Sequence, residues 1–363
     1  MSLRRWLACA ALLGLTLCGG CGFKDIDKRF FVIATGIDLT GKTDTPYRVT
    51  LRLAIPYTKT ESGEAHTEVE TIEGASVAEA IRKLKSHVDK ELDFAHCRVI
   101  LLGKSLAEAG FADSIEWMSR RRDIQQIAYL GIAMPDANSL LKVKIKSERY
   151  PGNAFFLMFG KEGTESSFTV SEYLFDFMRR SSEPGLDPYL PIVGSDGDSY
   201  VVDRVALFDK TKLRLILTPE ETQLYNIVAF QFNKSGVSME LDGKRLVMFN
   251  TLVKVKRSID VGAEPVVNLR VRLRGLVEES PERIMNGQLV HMERRLGESV
   301  SEQIRAMLVK VRDAGVDPFG FGLSYMAKRF GRADDWKRWK EAYPNVRYRV
   351  KTDVVFTSTG QTR

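Results

Sequence analysis

Cysteine and histidine are scarce in this chain of 363 residues, with four of each. Three of the cysteines, Cys9, Cys18 and Cys21, lie in the first 21 positions, and Cys97 stands alone in the rest. A disulfide-stapled scaffold is excluded, so a chain of this length must rely on its core. No two of His66, His87, His96 and His291 have the spacing of metal ligands. The chain has no G-x-S-x-G, P-loop, G-x-G-x-x-G or zinc signature. "DGD" at 196–198, with Asp203 nearby, lacks the spacing of a calcium loop and reads as a solvated turn. His96-Cys97 opens an apolar strand and reads as a core pair rather than a nucleophile and its base. These absences speak against an enzyme and imply no cofactor or metal. Beyond the N-terminus there is no apolar run long enough to cross a membrane, which takes about 20 residues.

The N-terminus has what the rest lacks. Arg4 and Arg5 precede the 12-residue run "WLACAALLGLTL" (Trp6 to Leu17), followed by "CGGC". A positive start, a short apolar core and small residues make an export signal over 1–20. Cys21, preceded by Gly19 and Gly20, fits the lipidated cysteine of a bacterial lipoprotein, carrying a thioether-linked diacylglycerol and an N-acyl chain. Cys18 follows the bulky Leu17 and does not fit; it also occupies the position, three before Cys21, where such signals usually carry Leu. Loss of residues 1–20 removes Arg4 and Arg5, leaving 52 basic against 47 acidic residues, a net charge of +5. Residues 21–29 then form a polar tether.

Residues 30–39 read as a strand, and "YRVTLRLAIP" returns from a turn with Val49, Leu51 and Leu53 facing one way and Arg48, Thr50 and Arg52 the other. That alternation predicts a sheet with one wet face. Ser76 and Glu79 form a capping box for a helix with an apolar stripe of Ala80, Ile81, Leu84 and Val88. "CRVILLG" reads as a central strand, "SLAEAGFADSIEWMSRR" as a helical region, "IAYLGIAMP" as a strand and "DANSLLKV" as a helix begun at Asp136. Residues 147–169 read as irregular, and 170–180 as a helix. The turn-rich stretch 181–199 is the expected boundary between an N-terminal domain over 30–196 and a C-terminal domain over 197–363. Strands at 30–55 and 201–217 sharing one sheet, with 75–180 a separate lobe, is an alternative of three lobes.

In the second half, "VVDRVALF" and "KLRLILT" flank a turn, and Thr218 with Pro219 opens a helix. Asp242-Gly243 announces a hairpin. "VVNLRVRLRGLVEE" alternates Leu269, Val271 and Leu273 inward with Arg270, Arg272 and Arg274 outward. From Ser280 to Gly315, apolar residues from Met285 to Val311 recur at steps of three or four. This predicts a helix of roughly 34 residues and 50 Å, with Gly287 and Gly297 as points of bending. Two short helices and a final strand follow. The pattern is α+β, with mixed or antiparallel sheets, packed helices, two or three lobes and a long helix in the C-terminal domain.

Lys254, Lys256, Arg270, Arg272, Arg274, Arg347, Arg349 and Lys351 fall on outward strand positions. The plain reading is a solvated sheet face. For an exported, tethered chain, an anionic membrane or a partner's acidic surface suits these residues better than nucleic acid.

Two segments carry a resemblance. "HVDKELDFAHCRVILLGKSLAEAGFADSIEWMSRRRDIQQIAYLGIAMPDANSLLKV" resembles the N-terminal region of the Ger(x)C spore germination lipoproteins. "DAGVDPFGFGLSYMAKRFGRADDWKRWKEAYPNVRYRVKTDVVFTSTG" is similar to their C-terminal signature, with Asp317, Pro318, Phe319, Gly320, Phe321 and Gly322 followed by Trp336 and Trp339. "GLDPYLP" and "FFVIATGID" also fit. Gly22-Phe23 replaces the Trp-Asp that often follows the lipidated cysteine. The resemblance implies the non-catalytic C subunit of a nutrient germinant receptor, on the outer face of the spore inner membrane, with membrane-spanning A and B subunits as partners. The alternative is a solute-binding lipoprotein that delivers a nutrient to a transporter. From the residues themselves, "DPFGFG" reads as a helix stop and turn in which Gly320 or Gly322 takes positive φ, with Phe319, Phe321 and the two tryptophans in the core.

Overall fold

The computed structural model describes residue 6 and residues 28–54, 67–145, 151–160, 165–241, 243–262, 264–280, 287–330, 332 and 334–358. Cys21 and, apart from Trp6, the segment 1–20 lie outside the described residues, as do His66, Met285 and Gly360.

The larger of two sheets is built from β1 (Arg29–Leu39), β2 (Tyr47–Ala54), β3 (Thr67–Gly74), β4 (Glu91–Asp93), β5 (Val99–Gly103), β6 (Tyr129–Ala133), β7 (Glu172–Tyr173), β8 (Tyr189–Asp196), β9 (Ser199–Phe208) and β10 (Leu213–Ile216). Its order is β10-β9-β8-β6-β5-β1-β2-β3, with β4 beside β1 and β7 beside β6. The central pairs β1–β5, β5–β6 and β6–β8 are parallel and the flanking pairs antiparallel. Helices therefore cross between the parallel strands and cover both faces. On one face lie α1 (Val77–Leu84), α2 (Lys104–Ala109), α3 (Ala112–Arg120) and α6 (Leu174–Ser182); on the other lie α4 (Ala137–Lys142) and α5 (Pro151–Phe159). The sheet continues past residue 196 into β9 and β10, and strands from within 75–180 occupy its middle.

This coverage corrects the expectation of a wet face at β2. Thr50 and Arg52 are buried under α4, not solvated. Thr50 Oγ1 lies 3.3 Å from Asn138 Oδ1, and Arg52 donates to the Tyr200 hydroxyl and the Val143 carbonyl, each at 2.9 Å. The polar positions alternate because α4 and β9 supply partners. The stretch 147–169 is likewise not wholly irregular, because Pro151 opens α5 at a position where a missing N–H costs nothing. The helical region after β5 is two helices, parted at Gly110 with φ 144°. The segment expected as a helix from 170 starts with β7 and turns helical at Leu174.

The second sheet has the order β11-β12-β13-β14, from β11 (Gly236–Leu241), β12 (Lys244–Asp260), β13 (Val266–Glu279) and β14 (Arg347–Ser358). The helix α7 (Pro219–Phe230) enters it with the capping box of Thr218 and Glu221. The long helix α8 runs over Leu289–Asp313, 25 residues or about 37 Å. It is shorter than expected: Gly287 and Gln288 form a turn before it, and 281–286 lie outside the described residues. Leu296, Val300, Ile304 and Leu308 of its stripe are fully buried. Gly297 does not break the helix. A Cβ there would lie 2.6 Å from the Thr352 carbonyl oxygen, so glycine is what lets β14 approach. The helix also pins both sheet edges: Ser301 Oγ and Glu293 Oε1 accept the Thr352 and Phe356 N–H groups, and Gln303 donates to the Ser238 carbonyl. The short helices α9 (Phe321–Lys328) and α10 (Asp335–Ala342) precede β14.

Candidate functional site

The two units meet where "GLDPYLP" (185–191) faces "DPFGFG" (317–322). Gly315, with φ 75°, ends α8, and the chain turns through buried Asp317, Pro318 and Phe319 into α9. Asp317 acts as the cap of that helix from within the turn. Its carboxylate accepts the Phe321 N–H at 3.1 Å and the Gly322 N–H at 2.7 Å. Such bonds satisfy orphan donors of the first helical turn. Gly320 takes φ 71° and needs the freedom of glycine. Gly322 is tight for a different reason: a Cβ there would sit 2.6 Å from Gly185 Cα and 2.6 Å from Trp339 Nε1.

Asp187 mirrors Asp317 across the joint. The Asp317 N–H donates to Asp187 Oδ2 at 2.7 Å, and the Asp187 N–H donates to the Asp317 carbonyl at 2.9 Å. Lys210 holds Asp187 from below at 3.2 Å and donates to the carbonyls of Arg180, Glu183 and Leu186. Arg180 reaches across to the Pro318 carbonyl at 3.2 Å and to that of Asp187 at 3.3 Å. Arg257 of β12 donates to the carbonyls of Phe319, Val228 and Ala229, tying the turn to the end of α7.

Aromatic rings fill the space behind. Phe319 lies 5.1 Å from Tyr225 and 5.5 Å from Phe321, centroid to centroid. Trp339, 1 % exposed, sits between Tyr325 and Tyr343. Trp336 is half-buried, with Lys340 over its ring.

The joint also holds two carboxyl groups far from their ordinary acidity. Burial pushes Asp317 up to about 7, against the pull of its bonds from Gly322 and Phe321. Burial pushes Glu172 up to about 8, with Arg180 at 3.3 Å opposing it. Neither faces a nucleophile or an open cleft. Elsewhere, the Cys97 thiol is buried beside Thr35 and pushed up to about 11 by desolvation, while His87, His96 and His291 are exposed. Asp196 and Asp198 sit at the tip of the β8–β9 hairpin, and Asp203 pairs with Arg204. Among the described residues no group of three His, Cys, Asp or Glu is placed to hold a metal. The arrangement couples the two units mechanically.

The structure brings Asp317, Phe319, Phe321, Gly322 and Trp339 together around one joint. Of the facing half, sequence reasoning picks out Gly185 and Asp187 only within "GLDPYLP", without placing them against the turn, and it misses Arg180, Lys210 and Arg257. A signal for it existed, since Asp187-Pro188 repeats the dipeptide of Asp317-Pro318.

Comparison with known proteins also divides the chain in two, with the boundary falling at the start of β9, although β9 and β10 are the last strands of the first sheet. Residues 22–195 match a family described as spore germination protein N-terminal domain. Residues 203–360 match one described as spore germination B3/GerAC like, C-terminal. Spore germination protein GerQC of Bacillus cereus is 20 % identical, covering 83 % of this chain and 85 % of its own length. Spore germination protein KC of Bacillus subtilis (strain 168) is 22 % identical, covering 98 % and 95 %. The crystal structure of the GerBC protein matches with a TM-score of 0.57 at 17 % identity, over 88 % of this chain and 96 % of that one.

Proposed function

Since the chain belongs to the Ger(x)C family of spore germination proteins, we propose that it is the lipid-anchored C subunit of a nutrient germinant receptor. One observation carries the reading: two germination-family matches, in order, take up the two halves of a chain whose units are locked together at the motif 317–322. In this reading the export signal is removed and Cys21 becomes an acylated N-terminus. The folded part then stands at the outer face of the spore inner membrane beside membrane-spanning A and B subunits. Its role is to scaffold or relay, not to catalyse. No helix among the described residues is long and apolar enough to cross a membrane, so attachment falls to the acyl chains. Two chains hold a domain stably at a bilayer where one is marginal. A binding protein of two similar lobes is disfavoured, because one unit has a mixed ten-stranded sheet and the other a four-stranded one.

Mass spectrometry of the mature N-terminal peptide tests the anchor, with diacylglycerol on Cys21 expected. Cys21→Ala should abolish lipid attachment and weaken or remove the nutrient response while receptor-independent triggers still work, and Cys18→Ala should do neither. Co-purification from detergent-solubilised spore membranes tests the partnership. An unmodified N-terminus, or a chain that purifies without membrane-spanning partners, would sink the proposal.

A further inference from the structure

The outer face of the second sheet carries a charge pattern that folding does not require. Its inner face, with Val253, Leu269, Val271, Leu273 and Val354, is buried. On the outer face the strand register sets like charges opposite one another. Lys254 lies opposite Arg272, and Lys256 opposite Arg270, across β12 and β13. Arg270 in turn lies opposite Lys351 across β13 and β14, and Arg349 is one step along the same face. All six are exposed. Directly opposed like charges destabilise a sheet. Asp353 is the one carboxylate in these rows, 2.8 Å from Arg270 and 4.0 Å from Lys351. Asp260, Glu278 and Glu279 lie at strand ends.

We infer that this face lies against a surface of anionic phospholipid headgroups. An open sheet spaces its side chains about 5 Å apart across strands and about 7 Å along them, a planar grid of cations. A protein partner is less suited to it. Protein interfaces centre on a desolvated apolar or aromatic anchor and are depleted of lysine. The apolar residues on these rows, Leu252 and Val355, are at the margin, Leu252 half-buried and Val355 37 % exposed, a patch too small to anchor a protein partner. The inference rests on the proposed Cys21 anchor only to bring the face to a bilayer.

The test uses the processed, lipidated chain carrying Ser258→Cys, an exposed position on this face. With residues 1–20 removed and Cys21 acylated, the buried Cys97 is the one other thiol, which leaves the new cysteine as the one to label. The chain is reconstituted into vesicles of phosphatidylcholine alone, or of phosphatidylcholine with phosphatidylglycerol. Energy transfer from the label to a dye at the bilayer surface is then read. Transfer should be higher on the phosphatidylglycerol vesicles and fall to the neutral-lipid value in high salt. Lys254→Glu with Arg272→Glu should remove the difference without moving the melting temperature. In a sedimentation assay, each lost cation should weaken recruitment to anionic vesicles about fivefold. Equal transfer on both lipids, or a difference that survives charge reversal, overturns the inference. Transfer that rises on neutral lipid only when membrane-spanning partner subunits are present also overturns it, in favour of an acidic protein surface. A chain that does not float with neutral vesicles shows failure of the anchor instead. In that case, recruitment to phosphatidylglycerol vesicles that is lost on charge reversal upholds the face, and no recruitment overturns it.

Discussion

The two sheets solve the same problem differently. The ten-stranded sheet is covered on both faces, so polar side chains under its helices, such as Thr50 and Arg52, are interior groups with fixed partners. Arg52 is 2 % exposed and bonds to Tyr200 and Val143. The four-stranded sheet is covered on one face by α8 and leaves Arg270, Arg272 and Lys351 in water. An arginine at an alternating strand position is therefore structural in one unit and available in the other. The strand pattern is the same; what packs above it differs.

The sharpest break of this contrast is on the covered face of the smaller sheet. Leu296→Asp would bury an unpaired charge under α8 and should cost about 4 kcal/mol or more. A cooperatively folded variant with an unchanged melting temperature would contradict that. At the joint between the units, Gly322→Val must displace Gly185 or Trp339 and should cost about 3 kcal/mol, read by chemical denaturation. A variant that keeps its stability yet abolishes the germination response would instead make the motif a contact surface.

Arg52→Ala should cost about 2 kcal/mol, since it removes the side-chain donor to the Val143 carbonyl and leaves the Tyr200 hydroxyl only its 3.5 Å bond to the Leu140 carbonyl. Arg272→Ala, at the matching position of the open sheet, should stay within about 0.5 kcal/mol. Equal effects at the two sites would dissolve the comparison.

The joint also predicts a pH dependence. Asp317 and Glu172 are both raised above their ordinary values of 3.8 and 4.5, so the folded state holds protons that the unfolded chain has released. The stability they contribute is complete below about 4 and is lost as pH rises through about 7 and 8. Melting temperature should fall over that window, and Asp317→Asn should flatten the Asp317 part of the slope. A stability that rises steadily from pH 5 to pH 8 would refute this.

Much of the fold was legible because it was locally encoded. Ser76 accepts the Glu79 N–H, Thr218 and Pro219 open α7, and Lys244 pairs back to Leu241 in the expected β11–β12 hairpin, although Asp242 lies outside the described residues. The stripe of α8 is equally plain, although the helix begins only at Leu289, after the turn at Gly287 and Gln288. The joint was half legible. "DPFGFG" declared a helix stop and a turn, but Asp187, Arg180 and Lys210 lie over a hundred residues away in sequence. Nothing local marks such a partner.

The sequence by itself determined the α+β class, the positions of most helices and strands, the inward face of the smaller sheet and the germination-family resemblance. The class, the elements and the inward face depend on periodicity, caps and turn residues, which act within a few positions, and the resemblance on the motifs quoted for it. Only the tertiary structure decided that Arg52 is interior while Arg272 is not, that β9 and β10 extend the first sheet, and that Asp317 meets Asp187. A strand's alternation states that its two faces differ. It does not state which elements will cover each face, because that cover comes from chain far removed in sequence.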